Sequence, residues 1–326
     1  MKNKIQKEIF CTLGPSTLNK DFLKFSSEKK ISLLRLNMSH IKINQLASKI
    51  MFIKKYTKTP ICIDTEGAQI RTRFKTKIFL KKNRNIIINK IKKDFYLYPP
   101  QVFDQLKPQD TLDIGFKNLK IKLIKKRLDK IYCKVISSGE LSNSQGVHLM
   151  NRKIKLNFVT DNDRKAIKIA EKLKIKHFAL SFTNSYRDIL KFNKLLKNEN
   201  KIFKIETKKA IKNLNKIIFY GQNFLIDRGD LSKETSIEQI PVLQRKILKI
   251  AKLKRKKVYV ATNFLESMVL TKYPTRGEAN DIFNTLELGA SGLVLAAETA
   301  IGKYPKHCVQ FVIKMINIFN KKYKFN

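Results

Sequence analysis

The sequence predicts an α/β fold: a (β/α)8 TIM barrel with a small all-β domain inserted after strand 3. Three observations predict it. Short apolar runs rich in Ile, Leu, Val and Phe alternate with stretches whose apolar residues recur every three or four positions, the pattern of parallel βαβ units. The runs number eight, the count that closes a barrel. From Ala68 to Arg152 the rhythm stops, over an interval too long for a structureless loop and carrying short alternating runs instead.

In chain order, the strands are Glu8–Leu13, Ser32–Asn37, Pro60–Thr65, His177–Phe182, Lys201–Glu206, Asn223–Asp230, Lys257–Thr262 and Gly292–Glu298. Helical spacing places helices over Ile43–Tyr56, Asp163–Leu173, Tyr186–Leu196, Ile237–Leu253 and Ala279–Leu288, and Cys308–Phe319 closes the chain. Within the interval, Asn85–Asn89, Lys120–Ile124 and Ile131–Ile136 alternate as half-buried strands do. Pro99-Pro100 and Ser137–Glu140 mark turns between them. The expected domains are therefore residues 1–68 with 152–326 for the barrel and 69–151 for the inserted β domain.

Composition excludes several classes. A chain of 326 residues that is 43% hydrophobic and 10% aromatic can bury a large core, so intrinsic disorder is not its character. No apolar run reaches the roughly 18 residues of a membrane-spanning helix, and the N-terminal MKNKIQKEIFCTLG lacks the apolar stretch of a secretory signal. Cys11, Cys62, Cys133 and Cys308 form no CxxC pair and no zinc spacing, which fits a reducing cytoplasm. The net charge of +43 points at first to nucleic acid. Yet only 12 of the 69 basic residues are Arg, the better fork for phosphate and bases, and the 57 Lys spread along the whole chain without a nucleic-acid-binding motif. The lysines read as solvated faces, with non-specific polyanion contact as the most they predict.

Chemistry in such a barrel sits at the carboxyl ends of the strands. There the sequence places Arg35, Asn37, Ser39 and His40, then Asp64 and Thr65, Lys204 and Glu206, Arg228-Gly229-Asp230, Thr262 and Glu298. Alternation puts Lys204 and Glu206 on one face. A lysine, an arginine and carboxylates at one mouth suit a hard divalent cation and an anionic substrate. Taken singly, each is an ordinary polar strand end, and Glu206 could merely cap the next helix. Their coincidence on successive strands is what carries the reading.

These residues resemble the pyruvate kinase family. Cys11-Thr-Leu-Gly-Pro-Ser16 resembles its CTIGPAS, Leu34-Arg-Leu-Asn-Met-Ser-His40 its ARLNFSH, and Asp64-Thr-Glu-Gly-Ala-Gln-Ile-Arg-Thr72 its DTKGPEIRT. Gly146-Val-His-Leu149 resembles GVNLP, Phe203-Lys-Ile-Glu206 SKIE, and Asp227-Arg-Gly-Asp-Leu-Ser232 ARGDLG. Ala261-Thr-Asn-Phe-Leu-Glu-Ser-Met268 resembles ATQMLESM, Pro274-Thr-Arg-Gly-Glu278 PTRAE, and Ala297-Glu-Thr-Ala-Ile-Gly-Lys-Tyr-Pro305 GETAKGxYP. The motifs follow the family's order across nearly the whole chain.

The resemblance implies a cytoplasmic phosphotransferase of the last step of glycolysis, which moves phosphate from phosphoenolpyruvate to ADP. It implies that Lys204 stabilises the transferring phosphoryl group, that Arg35 binds phosphate, and that Thr262 with the backbone of Gly229 and Asp230 holds the carboxylate. It also implies Glu206 and Asp230 on Mg2+ (or Mn2+), Asn37, Ser39, Asp64 and Thr65 around K+, and His40 and Arg71 near the nucleotide. The inserted domain would close as a lid. The family's C-terminal regulatory domain has no counterpart after the eighth helix, so a monomer or homodimer is expected rather than a tetramer.

Departures keep a second reading open, a relative that binds phosphoenolpyruvate or pyruvate as a sensor without turnover. Glu66, Ala68 and Gln69 replace a lysine, a proline and a glutamate, the last bearing on K+ dependence. Gln145 replaces a lysine, removing a nucleotide phosphate contact, and Ser232 replaces a glycine, constraining a tight turn. Asp227 replaces an alanine and adds a carboxylate that repels an anion unless it points away or pairs. A third reading, a polyanion-binding protein on a borrowed barrel, predicts a steep salt dependence of nucleic-acid affinity.

Overall fold

A computed structural model describes residues 7–90, 93–115 and 118–322. It divides into two compact units, Met1–Glu66 with Asp161–Asn326, and Gly67–Thr160. The first is a closed barrel of eight parallel strands, paired in the order first, eighth, seventh, sixth, fifth, fourth, third, second. In chain order they are Glu8–Thr12, Leu33–Asn37, Ile61–Asp64, His177–Leu180, Asn200–Ile205, Asn223–Asp227, Lys257–Ala261 and Gly292–Leu295. The ring closes where the first strand pairs with the eighth, Glu8 beside Gly292.

Alternation sorts each strand into layers. Phe10, Leu33, Cys62, Ala179, Ile202, Leu225, Tyr259 and Val294, one from each strand, form a buried cluster that fills the barrel. Side chains on a strand repeat every second residue. The next inward layer toward the carboxyl end is therefore Thr12, Arg35, Asp64, Ser181, Lys204, Asp227, Ala261 and Ala296. An apolar plug lies beneath a polar, charged floor.

Two strands stop three residues earlier than the sequence suggests. The sixth ends at Asp227, which caps the helix Arg228–Glu234 by accepting from the backbone N–H of Asp230. Arg228, Gly229 and Asp230 are thus the first turn of a helix, not a strand end. The eighth stops at Leu295, and Glu298 belongs to the short helix Ala297–Ala300. The helices Lys20–Glu28 and Leu214–Tyr220 escape the sequence reading because they are short, 9 and 7 residues. The first had a legible start: the Asn19 side chain accepts from Phe22 N at 2.9 Å, with Asp21 in the first turn.

The second unit is a seven-stranded closed barrel with a separate two-stranded ribbon, Ile78–Leu80 with Gly139–Leu141. It includes Asn85–Asn89, Leu119–Lys126 and Lys130–Ser137, close to the alternating runs of the sequence. Ile88, Leu112, Ile121, Leu123, Ile131 and Val135 form its fully buried centre. This unit extends to Thr160, past the expected limit at residue 151, and the packing explains why. Arg152 donates to both carboxylate oxygens of Asp110, at 2.8 and 2.6 Å, while Ile154 and Leu156 pack on the β core. The cysteines at 11, 62, 133 and 308 are buried and free. Among the described residues no helix is long and apolar enough to cross a membrane.

Candidate active site at the carboxyl end of the barrel

Lys204 stands in the polar layer two residues beyond Ile202, 3% exposed. Its Nζ lies 2.8 Å from Glu206 Oε1, 3.3 Å from Asp64 Oδ2 and 3.5 Å from Asp227 Oδ2, and it donates to Ser181 Oγ at 3.2 Å. Burial alone would drive the ammonium toward neutrality, but Asp64, Glu206 and Asp227 outweigh it and raise its pKa. At an effective dielectric of 20, a pair at 4 Å is worth about 4 kcal/mol. Several such contacts keep the charge.

Arg35 occupies the same layer on the second strand, 5% exposed. Its Nη1 is 3.5 Å from Asp64 Oδ2, too far and too poorly aimed for a strong bond. Neither Nε nor Nη1 makes a hydrogen bond. Burial opposes its charge, and Asp64 and Asp227 restore it, so the pKa is raised. A buried guanidinium with idle donors is a costly arrangement that an anion would satisfy. Asp64 is held by Ser181, whose Oγ donates to Oδ1 at 3.1 Å.

Glu206 follows the end of the fifth strand. Its Oε2 accepts from Phe182 N at 2.5 Å, which holds Phe182 in the left-handed region at φ 53°, a conformation costly for a bulky residue. The other oxygen, Oε1, is buried and meets Lys204 without hydrogen-bond geometry. Burial raises the Glu206 pKa; Lys204 opposes this, and Asp227 and Asp230 add to it. One carboxylate oxygen each from Glu206, Asp227 and Asp230 lie within 4.8 Å of one another. Three carboxylates offering hard oxygen donors at this spacing fit Mg2+ or Mn2+.

Beyond the seventh strand the chain turns through two left-handed residues, Thr262 at φ 72° and Asn263 at φ 59°. Arg228 holds this turn. Its Nε donates to the Thr262 carbonyl at 3.0 Å, Nη1 pairs with Asp281 at 2.7 Å, and the guanidinium lies 4.3 Å from the Phe264 ring centre. The Thr262 hydroxyl accepts from Gly229 N at 3.0 Å and is within donating distance of Asp227 Oδ1, also at 3.0 Å. Asp227 is therefore paired, with Lys204, Thr262 and the helix start. Although burial opposes it, Lys204, Arg35 and these hydrogen bonds lower its pKa.

Glu298 is a scaffold residue. Its two oxygens accept from Leu265 N at 3.2 Å and Ala296 N at 2.7 Å. Glu298→Ala is expected to cost about 2–6 kcal/mol, because each of the two N–H groups left without an acceptor costs about 1–3 kcal/mol. The urea midpoint measures this, and Glu298→Gln, which keeps one acceptor, should lose less.

Lys204, Arg35, Glu206, Asp64, Asp230, Gly229 and Thr262 thus gather at one end of the barrel. Asn37 sits in register with Asp64 across the second and third strands, and its Oδ1 accepts from Ser39 N at 3.0 Å. Thr65 Oγ1 accepts from Ser181 N at 3.0 Å. His40 is exposed in the turn after the second strand. Arg71 belongs to the β unit, where Nη1 donates to the Ser144 carbonyl at 3.2 Å.

The sequence reading missed Ser181, Asp281 and Asp163, whose Oδ1 accepts from Glu66 N at 2.7 Å. Ser181 had a signal, since it follows Ala179 as Lys204 follows Ile202. Two departures are structurally benign. Ser232 lies inside a helix that needs no glycine, its Oγ donating to the Gly229 carbonyl at 2.9 Å. Gln145 closes its own turn, accepting from Ser142 N at 2.8 Å and donating to the Glu140 carbonyl at 3.1 Å.

The family model described as pyruvate kinase, barrel domain, matches residues 4–309. A pyruvate kinase of Thermotoga maritima is 31% identical over 98% of this chain, which spans 72% of that protein. One from Methanocaldococcus jannaschii is 31% identical over 97% of the chain and 70% of its own length. One from Staphylococcus haemolyticus is 30% identical over 93% of the chain, which spans only 55% of it. With the barrel, the inserted β unit and the charged floor in agreement, the chain belongs to the pyruvate kinase family.

Proposed function

We propose that this chain transfers a phosphoryl group from phosphoenolpyruvate to ADP, yielding pyruvate and ATP. The observation that carries the reading is Arg35: a guanidinium 5% exposed, its Nε and Nη1 without hydrogen bonds, in the same layer as Lys204. Idle buried donors beside a buried ammonium are a receptor for a dianionic phosphate.

In this mechanism Arg35 binds the phosphate and Lys204 stays charged to offset the negative charge that builds on the transferring group. The bond from phosphorus to the enol oxygen breaks, a bond to the ADP oxygen forms, and the enolate carbon takes a proton to give pyruvate. The Thr262 hydroxyl and the amides of Gly229 and Asp230 orient the carboxylate. Glu206 and Asp230 hold Mg2+ or Mn2+, which supplies Lewis-acid neutralisation of phosphate charge. Asn37, Ser39, Asp64 and Thr65 are the proposed K+ ligands, and His40 and Arg71 the proposed ADP contacts.

Binding without turnover has one observation in its favour, the Asp227 carboxylate within donating distance of the Thr262 hydroxyl. Pyruvate formation by purified protein, from phosphoenolpyruvate and ADP with Mg2+, with and without K+, separates the two. Turnover that needs the divalent cation is expected. Phosphoenolpyruvate binding with no turnover under any nucleotide or cation overturns it in favour of the binding relative.

A further inference from the structure

Asp227 stands where the family motif has alanine, and its surroundings give that carboxylate a use. It is the last residue of the sixth strand, in the inward layer with Arg35, Asp64 and Lys204. Oδ1 is oriented by the Thr262 hydroxyl at 3.0 Å and loosely by Asp230 N at 3.5 Å. Oδ2 faces Lys204 at 3.5 Å. An oxygen held this way fixes the direction of its partner, as hydrogen bonds behind a metal ligand do.

Asp227 adds a buried carboxylate to a group that already holds Asp64 and Glu206 beside Arg35 and Lys204. One carboxylate oxygen each of Glu206, Asp227 and Asp230 lie within 4.8 Å of one another. Glu206 Oε1 meets Lys204 Nζ at 2.8 Å without hydrogen-bond geometry. Carboxylates brought this close repel one another, and a hard divalent cation among their oxygens would offset that repulsion.

We propose that Asp227 is a third carboxylate ligand for the divalent cation, so that this chain binds the ion before any substrate arrives. The inference rests on the phosphotransfer reading for what the ion then does. It also removes the expected conflict, since a carboxylate neutralised by a divalent ion no longer repels the incoming phosphate.

The test is binding of Mn2+ alone, read from the loss of the free-ion electron paramagnetic resonance signal as protein is added. Wild type is expected to bind one Mn2+ without substrate, and Asp227→Asn and Asp227→Ala to weaken it about tenfold or more. Asparagine keeps the helix cap, so Asp227→Asn remains a fair test should Asp227→Ala fold poorly; circular dichroism without metal verifies both. Binding by Asp227→Asn as tight as wild type, or no binding by wild type up to millimolar Mn2+, overturns the third-ligand role. Pyruvate formation is followed in parallel. Turnover alongside unchanged binding in Asp227→Asn sinks this inference alone, whereas binding lost in the variant without wild-type turnover sinks the phosphotransfer reading alone.

Discussion

Lys204→Met is expected to lower kcat for pyruvate formation by about 10³-fold or more, the scale of losing a charged group aimed at a transferring phosphoryl. The side chain is 3% exposed and meets Asp64, Glu206 and Asp227 within 3.5 Å, so its ammonium is held where a water-borne cation cannot replace it. The same contacts give the substitution a structural cost. Removing one member of a buried ion cluster costs about 3–5 kcal/mol, and the melting temperature should fall as well. Activity is therefore measured below the variant's own unfolding transition, beside Lys204→Arg, which keeps the charge in a different shape. A folded Lys204→Met within tenfold of wild-type kcat would remove Lys204 from the chemistry.

Arg35→Met should act on the substrate. Losing a buried charge contact costs about 2–5 kcal/mol, so kcat/KM for phosphoenolpyruvate is expected to fall by about 10²-fold or more. Most of that should appear as a raised KM, because the Nε and Nη1 donors wait for a phosphate already present in the ground state. Methionine keeps the volume, and the side chain enters a barrel already walled by Cys62 and Leu33. A variant with unchanged KM and a reduced kcat would show that Arg35 serves the transition state and is no anchor.

The barrel strands were legible because strands buried on both faces read as unbroken apolar runs. Their ends were not. Asp227-Arg-Gly-Asp can continue a strand or begin a helix, and the choice is made by Asp227 turning its side chain back to Asp230 N. The family motif named Lys204, Glu206 and Thr262, which the fifth and seventh strands bring to the same end of the barrel. It could not reveal Arg228 on Asp281, 53 positions apart, or Asp163 on Glu66, 97 apart, because backbone-supporting contacts leave no periodic trace. Ser181 fell between: the period of two points at it, but a serine alone carries no chemical signature.

The pairing of the first strand with the eighth has a consequence for how the chain is made. The Thr12 hydroxyl and the Leu295 carbonyl it reaches are 283 positions apart. At about 5–20 residues per second, roughly 15–55 s of synthesis separate the two. During that time the first strand has an open edge, ready to pair with any other chain. Protein synthesis in the presence of a holdase should therefore raise the soluble yield far more than it alters the folded chain, whose first strand is paired on both sides.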